Sequence, residues 1–142
     1  MNEGNVWEAL MLAGKIRINN LTLIIDRNDI QIDGFTKNVM PLEPLKLKLE
    51  SFNWNVNEID GNNIHDIIYA IEIAKAEKHK PTAIIAKTIP GKGISFMEND
   101  FHWHGVTPDT KEMTGAPPIG SQTQKAIDEL EQLSQFIDNK YK

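Results

Sequence analysis

Two short apolar runs, Leu21-Thr22-Leu23-Ile24-Ile25 and Thr82-Ala83-Ile84-Ile85-Ala86, do most to limit the folds open to this chain. Neither alternates apolar with polar residues, so neither reads as a strand with one wet face. Each reads as a strand covered on both sides, which is the environment of a parallel sheet. Helical patterns surround them. From about Asn5 to Ile18, the residues Trp7, Leu10, Met11, Gly14 and Ile18 recur near helical spacing. Leu42 to Phe52 is a short helix candidate with Pro41 and Pro44 near its start, and Asn53 to Ile59 alternates as a strand does. Asp60-Gly61-Asn62-Asn63 is a turn whose Asn62 or Asn63 can cap a helix from Ile64 to about Lys78. A last amphipathic helix runs from Ser121 to about Asp138, with Ile127, Leu130, Leu133 and Ile137 on one face.

The order is helix, strand, helix, strand, helix, strand, long loop, helix. It predicts an α/β fold: a mainly parallel sheet with flanking helices. Right-handed crossovers put the carboxyl ends of all strands on one edge, where ligands bind in open α/β sheets. The loops Asp26–Gly34, Asp60–Asn63 and Thr88–Gly105 are therefore expected to leave from one edge.

Composition excludes several alternatives. A chain of 142 residues suits one domain with one core. Its net charge of -5 argues against nucleic acid or an anionic membrane as a partner. With no cysteine, disulfides, thiolate zinc sites and a cysteine nucleophile are out. No apolar run approaches the ~20 residues that span a bilayer. Met1 to Trp7 lacks the basic start and apolar stretch of a signal peptide, so a cytoplasmic location is expected.

Three segments carry the polar chemistry. Asp26 to Gly34 offers Asn28, backbone carbonyls and carboxylates, the oxygen donors that hard cations such as magnesium take. A plain Asx-rich turn has the same composition. In Thr88-Ile89-Pro90-Gly91-Lys92-Gly93, alternate glycines let backbone amides approach an anion, and Lys92 adds a charge. The spacing is neither that of a Walker loop nor that of a dinucleotide fingerprint, and a flexible turn is the alternative. His102-Trp103-His104-Gly105 places two histidines around a tryptophan. The pair lacks the further ligands of a zinc site. Phosphate binding, proton transfer and simple packing of Trp103 all remain open.

Taken together, these pieces resemble the cofactor-binding half of transketolases. Asn2-Glu3-Gly4-Asn5-Val6-Trp7-Glu8-Ala9 looks like the helix start that follows that family's GDG motif. Leu23-Ile24-Ile25-Asp26-Arg27-Asn28 looks like its strand and asparagine, and Ile30-Gln31-Ile32-Asp33-Gly34 like the segment behind them. Lys87 to Gly93 and Trp103-His104-Gly105 are similar to later family motifs. The resemblance runs from Asn2 to about Pro108 and is greatest to the N-terminal subunit of two-chain transketolases.

The resemblance implies residues 1–142 as a partial thiamine diphosphate-binding domain, with 107–120 as a linker and 121–138 as a C-terminal helix. It implies thiamine diphosphate and magnesium as cofactors, with calcium able to substitute. Asn28 would give its side-chain oxygen, and Ile30 its backbone carbonyl, to the metal. Ile32 would press on the cofactor, the backbone at Gly91 would approach it, and His104 would sit near the diphosphate and the substrate. Glu3 would lie at the contact between subunits, or else be a first-turn glutamate favoured by the helix dipole. The implied reaction moves a two-carbon ketol unit between sugar phosphates, as in the pentose phosphate pathway. The implied partner is a pyrimidine-binding, C-terminal transketolase subunit, in a homo- or hetero-oligomer.

The family's GDG motif, with its metal-binding aspartate, would lie just before Met1. The expectation is therefore a fold lacking its first strands, apolar surface beside an unpaired sheet edge, and a chain inactive by itself, whose activity needs the missing segment as well as the partner domain. Two other readings stay open. One is a different thiamine diphosphate enzyme such as deoxyxylulose phosphate synthase. The other is a non-catalytic relic that keeps only an interaction surface.

Overall fold

The computed structural model describes residues 1–140. The chain divides into two compact units: Met1–Asn28 with Thr36–Thr88, and Asp29–Phe35 with Ile89–Lys142.

The first unit is built on a three-stranded parallel sheet. Its strands are β1 (Thr22–Arg27), β4 (Asn55–Asp60) and β5 (Thr82–Lys87), in the order β1-β5-β4. The central position of β5 explains its composition, since Thr82 to Ala86 are all buried. Successive side chains on a strand point to opposite faces. Ala83 and Ile85 accordingly pack in one cluster with Leu10 and Ala13 of α1 (Gly4–Ile16), Leu45 and Leu49 of α3 (Leu45–Ser51), and Trp54 just before β4. Ile84 packs on the other face with Ala70 and Ala74 of α4 (Ile64–Ala76). Asn63 caps α4, its side-chain oxygen accepting the N–H of His65 at 3.0 Å.

Strand β1 lies at a sheet edge. Its Ile24 is 56% exposed, and an apolar groove of about 360 Å³ runs between α1 and residues 21–23. Exposed apolar surface beside an edge strand was the expectation from sequence.

The second unit holds a small antiparallel pair, β2 (Ile30–Gln31) with β3 (Gly34–Phe35), a 3-10 turn at Phe101–Trp103, and α5 (Gln122–Lys140). Residues 36–39 form the short helix α2 in the first unit. The sequence reading placed β2 and β3 in a polar loop, because two-residue strands fall below the length at which alternation can be seen.

Residues 107–120 contain no helix or strand but are bonded to the start of α5. Asp109 Oδ1 accepts from the N–H groups of Gly120 (2.6 Å) and Gln122 (3.0 Å), and Oδ2 from that of Thr123 (3.0 Å). Fully buried Gln122 reciprocates, its Oε1 accepting the N–H of Asp109 at 2.7 Å. Orphan donors at a helix start need partners of this kind.

Candidate functional site

The carboxyl edge of the sheet is built by register. Arg27, Lys87 and Asp60 are matched across the three strands, so Asn28, Thr88 and Gly61 follow at one edge. The ladder extends one residue further. Gly61 N–H donates to the carbonyl of Lys87 at 2.7 Å, and Thr88 N–H to that of Arg27 at 3.4 Å.

Asn28 is held by its neighbour in sequence. Its Nδ2 donates to Asp26 Oδ2 at 3.0 Å, while Asp26 Oδ1 accepts from the hydroxyl of Thr88. An amide carries its donor and acceptor on opposite branches. Fixing Nδ2 on a carboxylate therefore turns the amide oxygen away from Asp26. Neutral oxygen is the donor chemistry that a hard divalent cation accepts.

Arg27 sits between these residues and its side chain is buried. Its Nη1 donates to Thr36 Oγ1 at 3.0 Å, its Nε to Glu43 Oε1 at 3.1 Å, and its Nη2 pairs with the same oxygen at 3.0 Å. Glu43 Oε2 accepts the N–H of Leu45 at 3.0 Å. That backbone donor, then the Arg27 guanidinium, holds the Glu43 carboxyl below its usual range. Thr36 is where the first unit resumes after residues 29–35, so Arg27 closes that excursion at its base.

In the second unit, four of the residues singled out from sequence lie on segments tied by ring contacts. Ile30 is buried in the β2–β3 pair, whereas Ile32 at its turn is 75% exposed. Phe35 of β3 meets Phe101 edge to face at 5.5 Å, which joins the pair to the 3-10 turn. Asp100 holds His102 through Nδ1 at 2.6 Å, and His104 caps the turn with an exposed side chain. Trp103 meets Phe96 edge to face at 5.4 Å. Gly91 has φ 73°, and a Cβ there would lie 2.6 Å from that of Met97, next to Phe96. Two buried donors in this unit, Gln31 Nε2 and Trp103 Nε1, have no hydrogen-bond partner. Glu3, in the first unit, is an exposed N-cap whose side chain makes no capping bond.

Sequence reasoning missed the parts played by Asp26, Thr88, Gly61, Arg27 and Glu43. The signal for Asp26 was present, since an Asx residue two before another is within side-chain reach. The others needed the strand register. Among the described residues, no three His, Asp or Glu side chains gather as a metal cluster.

The sequence matches the family model described as transketolase, thiamine diphosphate binding domain, over residues 1–122. The chain is 45% identical over 105 residues to a 6-deoxy-6-sulfo-D-fructose transketolase subunit of Clostridium sp. strain MSTE9, a match covering 74% of this chain and 38% of that protein. It is 35% identical over 105 residues to transketolase of Rattus norvegicus, covering 74% and 16%. Among solved structures it is similar to transketolase from Campylobacter jejuni, with TM-score 0.65 and 36% identity over 70% of this chain and 15% of that one. It is also similar to the transketolase of Pichia stipitis in complex with sedoheptulose-7-phosphate, with TM-score 0.71 and 26% identity over 96% and 23%. The matched region is about two-fifths of the length of the first curated relatives, or less. The α/β sheet, the order of its loops and these matches agree, and the chain belongs to the transketolase family through its thiamine diphosphate binding domain.

Proposed function

We propose that this chain contributes the magnesium- and diphosphate-facing part of a transketolase site, which moves a two-carbon ketol unit between sugar phosphates. The observation that carries the reading is Asn28 at the carboxyl end of β1, its amide oriented by Asp26 on the edge that Thr88 and Gly61 share. Asn28 fits the group through its side-chain oxygen, the neutral donor that a hard cation takes, and Ile30 would offer a backbone carbonyl.

Thiamine diphosphate, when bound, would supply the carbanion nucleophile and the electron sink that transfer of a two-carbon ketol unit needs. The chain's own residues bind and orient. The backbone at Gly91, with Lys92 beside it, would approach the diphosphate, although the glycine itself is required by Met97, whose Cβ a side chain at 91 would meet at 2.6 Å. Ile32 presents an exposed apolar surface for the cofactor to rest on. His104 donates to charge developing on a substrate oxygen. Glu3 lies at the contact between subunits. Residues 107–120 act as a linker and 121–138 as a helix appended to a partial domain spanning 1–142.

This chain by itself is inactive and works with a pyrimidine-binding transketolase subunit, in the cytoplasm. The names of its relatives as subunits support such a partner. The test is reconstitution with that subunit, using a ketose phosphate donor and an aldose phosphate acceptor. Ketol transfer is expected only in the mixture and only with magnesium and thiamine diphosphate. Transfer by this chain alone contradicts the need for a partner. Consumption of pyruvate in place of the ketose contradicts the transketolase reading.

A further inference from the structure

We propose that Gly61, Thr88 and Asp26 form a positioning relay that sets the orientation of the Asn28 amide. The inference rests on the reading of Asn28 as a cation ligand, and extends the orientation of its amide by Asp26 back to Thr88 and Gly61.

The relay runs across all three strand ends. It starts at Gly61, where a Cβ would lie 2.5 Å from Thr88 Cγ2, 3.0 Å from Ala86 Cβ and 3.1 Å from the Lys87 carbonyl oxygen. Any side chain at 61 would displace the Thr88 methyl. Threonine is stiff at χ1 because two heavy atoms branch from its Cβ. Seating the methyl beside Gly61 therefore also fixes where the hydroxyl points, and that hydroxyl donates to Asp26 Oδ1. With one carboxylate oxygen held from β5, the other accepts Nδ2 of Asn28 at 3.0 Å.

The relay matters because an asparagine amide has two branches of equal shape and opposite polarity. Its terminal torsion is broad and roughly two-fold. An unheld amide offers a cation its NH2 about as often as its oxygen. A carboxylate on Nδ2 removes that ambiguity. Groups that orient a metal ligand in this way are worth about 10- to 100-fold in metal affinity. Thr88 and Asp26 are not buried, so we expect the low end, about tenfold.

The substitution that isolates the relay is Thr88→Val, which keeps the methyl against Gly61 and removes the hydroxyl. Thr88→Ser is the conservative rescue, and Asn28→Ala removes the ligand itself. Two readouts are taken on the full 15N-labelled chain, alone and with the pyrimidine-binding subunit added. The first is the solvent exchange rate of the Asn28 side-chain amide protons, which needs no cation. The second is relaxation enhancement by Mn2+ in the presence of thiamine diphosphate.

The expected result for Thr88→Val is faster amide exchange and about tenfold weaker Mn2+ binding, with an unchanged unfolding midpoint. Thr88→Ser should restore both, and Asn28→Ala should abolish the cation signal. Wild-type exchange and Mn2+ affinity in Thr88→Val, while Asn28→Ala loses the cation, overturn the relay alone. A wild-type chain that binds no Mn2+ in either setting, or an Asn28→Ala chain that binds it normally, overturns the ligand reading and the relay with it.

Discussion

Replacing Gly14 by alanine sets two forces against each other, and they differ in sign. Gly14 lies inside α1, where alanine is the better helix former by about 0.8–1.0 kcal/mol. On propensity alone the substitution stabilises. The packing says otherwise. A Cβ at position 14 would lie 1.8 Å from the carbonyl oxygen of Phe52, far inside the 3.0 Å that Cβ atoms essentially never breach, and 3.5 Å from Trp54 Cδ1. The obstacle is backbone, so it cannot rotate away. The same junction carries two hydrogen bonds, from Trp54 Nε1 to the Leu10 carbonyl at 2.9 Å and from Asn53 Nδ2 to the Gly14 carbonyl at 3.3 Å. Overpacking costs about 1–3 kcal/mol, and weakening the bonds adds about 1 kcal/mol. After the propensity gain, the net loss is about 1–3 kcal/mol. Urea unfolding followed by circular dichroism measures it, with an unchanged m-value as the check that the denatured state is the same. A Gly14→Ala chain as stable as wild type, or more stable, would refute the packing of α1 against residues 52–54.

Three further outcomes are expected. Trp54→Phe keeps most of the buried ring but removes the indole donor to the Leu10 carbonyl, and should cost about 1 kcal/mol in the same unfolding assay. The carboxyl of Asp109 is held below its usual 3.8 by the Thr123 hydroxyl and by the N–H groups of Thr123, Gln122 and Gly120; that of Glu129 is held below 4.5 by the N–H and hydroxyl of Ser95. Both folded values are depressed, so their contribution is complete above the unfolded values and is lost as pH falls through the folded ones. Amide exchange at the start of α5 should therefore rise below about pH 4, and Asp109→Asn should show that rise already at neutral pH. Gly91→Ala places a Cβ at φ 73° and 2.6 Å from that of Met97, a strain of about 1–3 kcal/mol. It should increase proteolysis between residues 89 and 100 while leaving the first unit's urea midpoint unchanged.

Much of the fold was readable in the sequence because burial and composition agree there. The run Thr82 to Ala86 has no polar residue except Thr82, as a strand covered on both faces requires, and it is the central strand. The helices at Gly4–Ile16, Ile64–Ala76 and Gln122–Lys140 lie within a few residues of their predicted spans. The β2–β3 pair escaped notice because its strands are two residues each and its turn exposes Ile32. The candidate site was legible only in part. Asn28, Gly91 and His104 stand in recognisable local patterns, but the connection from Gly61 through Thr88 to Asp26 depends on strand register. No local pattern records that Gly61 and Thr88, 27 positions apart, must share one space. Arg27 and Glu43, 16 positions apart, likewise meet at 3.0 Å.

The central claim is that Asn28 holds the cation that holds thiamine diphosphate. Calorimetry on the chain assembled with its pyrimidine-binding subunit tests it most directly, titrating thiamine diphosphate with and without magnesium, for wild type and Asn28→Ala. The account predicts magnesium-dependent binding in the wild type and its loss in Asn28→Ala, with both chains equally stable to urea. Equal magnesium-dependent binding by the two chains would contradict it.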